Sequence, residues 1–481
     1  MPTASASAPG KLILFGEHSV VYGYAAVAAA LSELRVTVHI ASTTDGHLSA
    51  ELCDLLSSAP GGGTVRLQMP MEKLRSSLAD CDGLDDWRVS SPPSEATIGA
   101  CRRALGEMNA ADAEKLLPLV FLCRALLPEL LHAVDNSGTK RQKLTPGADS
   151  TAGLRISVRS AALPLGAGLG SSAAFSVALA GALVRLRLRL FADADGSAAL
   201  VAAAPVRIAG SAVAAEPGAP VNAAPLPPCR GAEVDARCPG EEAKTLINGW
   251  AYAAECILHG TPSGLDNEVS CAGDAVRHVR AGAAKRFEVV RGLPQLRVLI
   301  TNTKVARSTR EKVAGVAALR AAQPEAIQHI FASIASIADR FLALARPPAA
   351  ASSASSSGGG DGGGKGGQAA ACNGSAESST SSDELTTIGT LVRMNHHLLC
   401  AIGVGAPALD EVVSITAEEH LPTKLTGAGG GGCAYTVLGL AECTPSEPAA
   451  AAARRARAKL EAKGFECFET RVGGHGCLWH D

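Results

Sequence analysis

Apolar and polar positions along the chain change period several times, and each change marks an element. KLILF (11–15) is a short apolar run that predicts a strand, and GEHSVVYG (16–23) is a polar, glycine-bounded loop. AAVAAAL (25–31) predicts a short helix, whereas LRVTVHI (34–40) alternates with period two and predicts a strand. Leucines recur at helical spacing over 112–134, where Pro118 and Pro128 are expected to kink or divide the helix. LRISVRS (154–160) predicts a strand running straight into LPLGAGLGSSAAFS, and the apolar pattern then continues as a helix to Leu190.

Further along, INGWAYAAECILHG (247–260) predicts a helix and LRVLITNTKV (296–305) a strand that starts a new unit. The remainder alternates helices (391–403 and 408–419) with strands (433–440 and 466–472), an α+β pattern. Two stretches interrupt it. Residues 203–240 are rich in Ala, Pro and Gly with little periodicity, and 347–384 form a low-complexity insertion expected to be disordered.

Composition narrows the function class. With 481 residues the chain has room for two or three domains and a large core. Its 44 Lys and Arg nearly balance 46 Asp and Glu, so no overall field favours nucleic acid or an anionic membrane, and an anionic ligand must be held locally. Aromatics at 3% argue against a base-stacking surface. The 14 cysteines are scattered, with no CxxC pair and no Cys/His cluster at zinc spacing, which suits reduced thiols in a cytoplasmic protein. MPTASASAPGK lacks the features of a signal peptide, and no apolar run is long enough to span a bilayer.

Four segments carry chemistry. GAGLGSSAA (166–174) places bare backbone and two serines at a helix start, which serves either as a turn or as a cradle of N–H groups for an anion. Its spacing matches neither G-x-x-x-x-G-K-S/T nor G-x-G-x-x-G. APGKLILFGEH (8–18) sets one cation and two titratable groups at opposite ends of a strand. KLTGAGGGGCAY (424–435) contains four consecutive glycines, whose ordering cost must be offset by close backbone packing or by a ligand. HGTPSGLDNEVS (259–270) puts Asp266 beyond a Pro-Ser-Gly turn, either as a surface Asx turn or as a carboxylate able to accept a hydroxyl proton, with Glu255 about one turn before the loop.

In the order APGKLILFGEHSVVYG, PLGAGLGSSAA, HGTPSGLDN, KLTGAGGGGC, these segments resemble the small-molecule kinases of the GHMP superfamily. GEHSVVYG, INGWAYAAECILHGTPSGLDN, TNTKVARSTREKVAGV and MNHHLLCAIGVG resemble the mevalonate kinases within it, from about residue 8 to the C-terminus. The resemblance implies a two-domain GHMP kinase fold of α+β class. A ribosomal-protein-S5-like N-terminal domain (1–292) would precede a ferredoxin-like C-terminal domain (293–481), with the site between them. The implied reaction is ATP-dependent phosphorylation of the 5-hydroxyl of mevalonate.

Position by position, the resemblance implies that Gly166, Ala167, Gly168, Leu169, Gly170, Ser171 and Ser172 wrap the ATP phosphates, with Lys11 beside them. Ser172 and Glu255 would hold Mg2+, Asp266 would be the catalytic base next to Lys11, and Glu17, His18, Thr309 and Ala428 would line the mevalonate pocket. A homodimer acting on small molecules, with no nucleic-acid or membrane partner, is also implied. Phe175, Ala161 and Ala306 depart from the Tyr, Ser and Pro frequent in relatives. A sister kinase such as phosphomevalonate kinase and an inactive ligand sensor are the competing readings. Retention of Lys11, Ser172, Glu255 and Asp266 weighs against the sensor.

Overall fold

The computed structural model describes residues 1–56, 63–128 (except 80, 82, 83, 85 and 107), 152–191, 235–345 (except 282, 283 and 307) and 374–481. Of the two predicted insertions, 203–234 and 347–373 lie outside the described residues. Residues 374–384 belong to a helix, Gly374–Ala401, so the predicted disordered stretch is helical at its C-terminal end.

Among the described residues, twelve strands form one mixed sheet. Its central path runs β4 (Thr64–Pro70), β3 (His47–Leu56), β5 (Gly153–Ala161), β2 (Ala26–Thr43), β11 (Glu466–Val472), β8 (Leu296–Asn302), β10 (Cys433–Leu440), β9 (Thr423–Leu425). β1 (Thr3–Phe15) pairs with β2 and with the C-terminal strand β12 (Leu478–His480), while β6 (Ala275–Ala281) links β2 to β7 (Ala284–Val290). β3 and β5 are parallel and the other pairs antiparallel. A division at 292/293 falls between β7 and β8, and the sheet crosses it where Leu31 faces Val472 and where Ser5–Ser7 of β1 face Leu478–His480 of β12.

The expected helix over 25–31 is instead the first third of β2. Here strand partners on both sides override alanine's helix propensity: Val27–Leu31 pair with β1 and Ala26–Ala29 with β6. The small side chains have a structural use. Ala28 and Ala30 form a low bed on which Leu265 and Val269 of the helix Leu265–Ala272 pack, while Val27, Ala29 and Leu31 enter the main core. Pro118 does not divide its helix, which runs Ala110–Leu126 with Leu116–Leu126 wholly buried; Pro128 follows the helix end. That burial outweighs the one backbone hydrogen bond the proline removes.

A register shift at Pro9/Gly10 positions the site. The shift leaves Ser32, Glu33 and Leu34 of β2 without a partner on β1: Ala8 lies opposite Val36 in the main core, while Lys11 lies opposite Ala30, on the face where Leu265 and Val269 pack. The helices Ser171–Leu190, Glu241–His259 and Leu265–Ala272 pack against one another, and each sends residues to a common cleft.

Candidate active site

The first glycine loop begins where β5 ends and stops at the helix Ser171–Leu190. Gly166, Gly168 and Gly170 all have positive φ (72°, 81° and 72°), which a side-chain-bearing residue adopts only with strain. Lys11 N–H donates to Leu169 O at 2.8 Å, and a Cβ on Gly170 would stand 2.9 Å from Lys11 Cγ, so the loop is moulded onto the lysine. The Leu169 side chain is buried in the main core, where it anchors the loop. Ser171 and Ser172 stand in the first turn of the helix Ser171–Leu190 and border the cleft, and first-turn N–H groups favour an anion.

A cleft of about 950 Å3 is bordered by Lys11, Glu17, His18, Gly166, Ala167, Gly168, Gly170, Ser171, Ser172, Glu255, Asp266, Thr309 and Ala428. Every candidate site residue except Leu169 therefore meets at one place. Two side-chain pairs dominate it. Lys11 Nζ lies 3.2 Å from Asp266 Oδ1; the lysine is nearly buried, whereas the aspartate is 37% exposed and open to a ligand. Asp266 stands in the first turn of the helix Leu265–Ala272 and not on a loop, because Gly264 (φ 84°) turns the chain directly into that helix.

In the second pair, Ser172 Oγ donates to Glu255 Oε2 at 3.0 Å, and Ser176, one turn further along, donates to Oε1 at 3.1 Å. His259, one turn after Glu255, places Nε2 3.1 Å from Ser172 Oγ. Burial pushes the Glu255 carboxyl up to about 7, and the Asp266 charge adds to this while the two serine hydroxyls oppose it. Ser176 and His259 were missed as site residues. The S-x-x-x-S and E-x-x-x-H spacings of 172–176 and 255–259, each one helical turn, are the signals that point to them.

Glu17 and His18 divide their work. The Glu17 carboxylate is buried, paired with the fully buried Lys424 ammonium and accepting from Asn395 Nδ2 at 3.2 Å. It braces the loop against the C-terminal half. His18, at φ 61°, donates from Nε2 to Ala428 O at 3.0 Å, and burial holds its pKa below the usual value, so the ring is neutral.

The second glycine loop is packed as closely as its composition suggested. A Cβ on Gly429 would lie 2.1 Å from Val404 O, and Gly430 N–H donates to that carbonyl at 2.9 Å. Gly427, Ala428 and Gly432 still border the cleft. Thr309 opens the helix Thr309–Ala322, whose start is capped by Ser308 accepting from Glu311 N–H. A smaller cavity of about 230 Å3 adjoins the cleft at Gly166, Ser171 and Ser172, and is walled by Val36, Leu52, Val158, Leu165 and Phe175.

Serine and carboxylate oxygens side by side are hard donors of the kind Mg2+ selects, and the raised Glu255 pKa marks a carboxyl that ionises readily only when a cation compensates it. The arrangement thus joins a glycine loop, a serine–carboxylate pair of hard oxygen donors, a lysine and an accessible carboxylate, the kinds of parts that phosphoryl transfer uses.

Comparison with known proteins gives the family. The family model described as GHMP kinases C terminal matches residues 381–462. The mevalonate kinase of Mus musculus is 31% identical, aligned over 98% of this chain and 94% of its own length. That of Homo sapiens is 30% identical over 98% and 94%, and that of Dictyostelium discoideum 30% over 98% and 95%. In fold, the chain is similar to L. major mevalonate kinase in complex with R-mevalonate (TM-score 0.55, 17% identity, covering 97% of this chain and 94% of that one). It is similarly close to Methanococcus jannaschii mevalonate kinase (TM-score 0.54, 18% identity, 97% and 98% covered). From these full-length likenesses and the site they accompany, the chain belongs to the mevalonate kinase family of the GHMP kinases.

Proposed function

We propose that this chain transfers the γ-phosphoryl group of ATP to the 5-hydroxyl of (R)-mevalonate, giving 5-phosphomevalonate and ADP. The observation that carries the reading is the Lys11–Asp266 pair at 3.2 Å sharing one cleft with the Ser172–Glu255 pair at 3.0 Å, beneath a positive-φ glycine loop.

Asp266, beside the Lys11 cation, accepts the hydrogen bond of the substrate hydroxyl and takes its proton as the new P–O bond forms. The bond from the γ-phosphorus to the β–γ bridging oxygen breaks, and ADP leaves with that oxygen. Lys11 stabilises the negative charge that builds on the transferring oxygens. The N–H groups of Gly166–Ser172 receive the phosphates, and the apolar cavity beside Phe175 suits the flat base of the nucleotide.

Ser172 Oγ and the Glu255 carboxylate would hold Mg2+, which when bound neutralises phosphate charge. His18, Ala428 and Thr309 border the mevalonate side. No described helix is long and apolar enough to cross a membrane, and all the described cysteines are free thiols, which supports a cytoplasmic location. Assembly as a homodimer and division into domains at 292/293 complete the proposal on the strength of family likeness. The test is ADP release across a panel of small alcohols including mevalonate.

A further inference from the structure

Asn267 is 1% exposed, and its Nδ2 has no hydrogen-bond partner among the described residues, although the residue borders the cleft. A buried carboxamide without a partner is costly, and such groups persist where a ligand completes them. The surroundings say where the amide lies. Ser270, three residues on, donates to Pro9 O of β1, and Cys271, four residues on, donates to Lys244 O of the helix Glu241–His259. Asn267 shares that helix face, so it falls in the wedge between β1 and the helix Glu241–His259. Moving toward the cleft, the first of these elements carries Lys11 and the second Glu255.

We propose that Asn267 is a further catalytic residue, donating from Nδ2 to a non-bridging oxygen of the phosphoryl group while it passes between nucleotide and acceptor. This rests on the phosphoryl-transfer reading above. Three donors of different kinds then surround the group: the Lys11 ammonium, the loop N–H groups and the Asn267 amide. The amide has no role in holding ADP, which lacks the transferred group.

The test compares wild type with Asn267→Leu, which keeps the volume and removes the donor, and with Asn267→Ala as a second variant. Calorimetric titration measures binding of Mg2+–ADP alone, and of Mg2+–ADP with aluminium fluoride as a mimic of the group in flight. The expected result is ADP affinity within about twofold of wild type, aluminium fluoride complex affinity weakened about 10- to 100-fold, and kcat lowered by a similar factor with KM for the acceptor little changed. Equal affinities of wild type and variants for both complexes, with unchanged kcat, would overturn the proposal. So would equal weakening of both complexes, which marks a purely structural role. The ADP comparison does not depend on which alcohol is the acceptor. A wild-type enzyme that phosphorylates some other alcohol refutes the substrate reading while leaving this result to decide the role of Asn267.

Discussion

Ser172 and Glu255 are 83 residues apart in the chain, yet the serine hydroxyl donates to the carboxylate at 3.0 Å inside the cleft. Burial makes that carboxyl hold its proton up to about pH 7, against an ordinary value of 4.5. Between those values the metal-free folded protein binds more protons than the unfolded chain, so its stability falls as pH rises through the window, by at most about 3 kcal/mol. Thermal unfolding without Mg2+ should show a lower midpoint at pH 7.5 than at pH 5.5 from this group, and Glu255→Gln should flatten that difference. Added Mg2+–ADP should stabilise the protein more at the higher pH, where cation and proton no longer compete.

Asp266→Ala should reduce kcat at least about 1,000-fold if the carboxylate takes the hydroxyl proton, while Mg2+–ATP affinity stays within a few-fold. Steady-state kinetics with calorimetric nucleotide titration checks both halves. Near-normal turnover in this variant would remove Asp266 from the mechanism.

Glu17 and Lys424 form a buried ion pair bridging the Gly16–His18 turn and β9. Removing one partner leaves an uncompensated charge in the core, so Glu17→Gln and Lys424→Met should each lower unfolding free energy by about 3–5 kcal/mol. The double variant Glu17→Gln/Lys424→Met should lose less than the sum of the two single changes, as measured by denaturant unfolding.

Gly170→Ala adds a methyl group 2.9 Å from Lys11 Cγ at a position with φ 72°. The loop or the lysine must move, and either breaks the register between cradle and catalytic pair. A loss of about 2 kcal/mol in stability together with at least tenfold in kcat is expected, against about 1 kcal/mol from φ strain and little change in kcat for alanine at Gly166, where nothing crowds the added atom within 4 Å.

Much of the site was legible because its parts are local. Glycine-serine loops, a lysine on a short apolar strand and an Asp-bearing turn each announce themselves within a dozen residues. What escaped was set by tertiary pairing. The alanine run at 26–31 reads as helix until β1 and β6 flank it. Lys424, the partner of the Glu17 carboxylate, is 407 positions away and gives no local sign of that pairing. Asn267 gives no sign of interest beside Asp266 until the helix face it shares with Ser270 and Cys271 is known.

The central claim is the identity of the reaction, and ADP release with mevalonate, phosphomevalonate, galactose and homoserine as alternative acceptors tests it most directly. The account predicts Mg2+-dependent ADP release with mevalonate, formation of 5-phosphomevalonate, and loss of both in Asp266→Ala. Turnover of one of the other acceptors without mevalonate, or no turnover of any of them by well-folded protein, would contradict it.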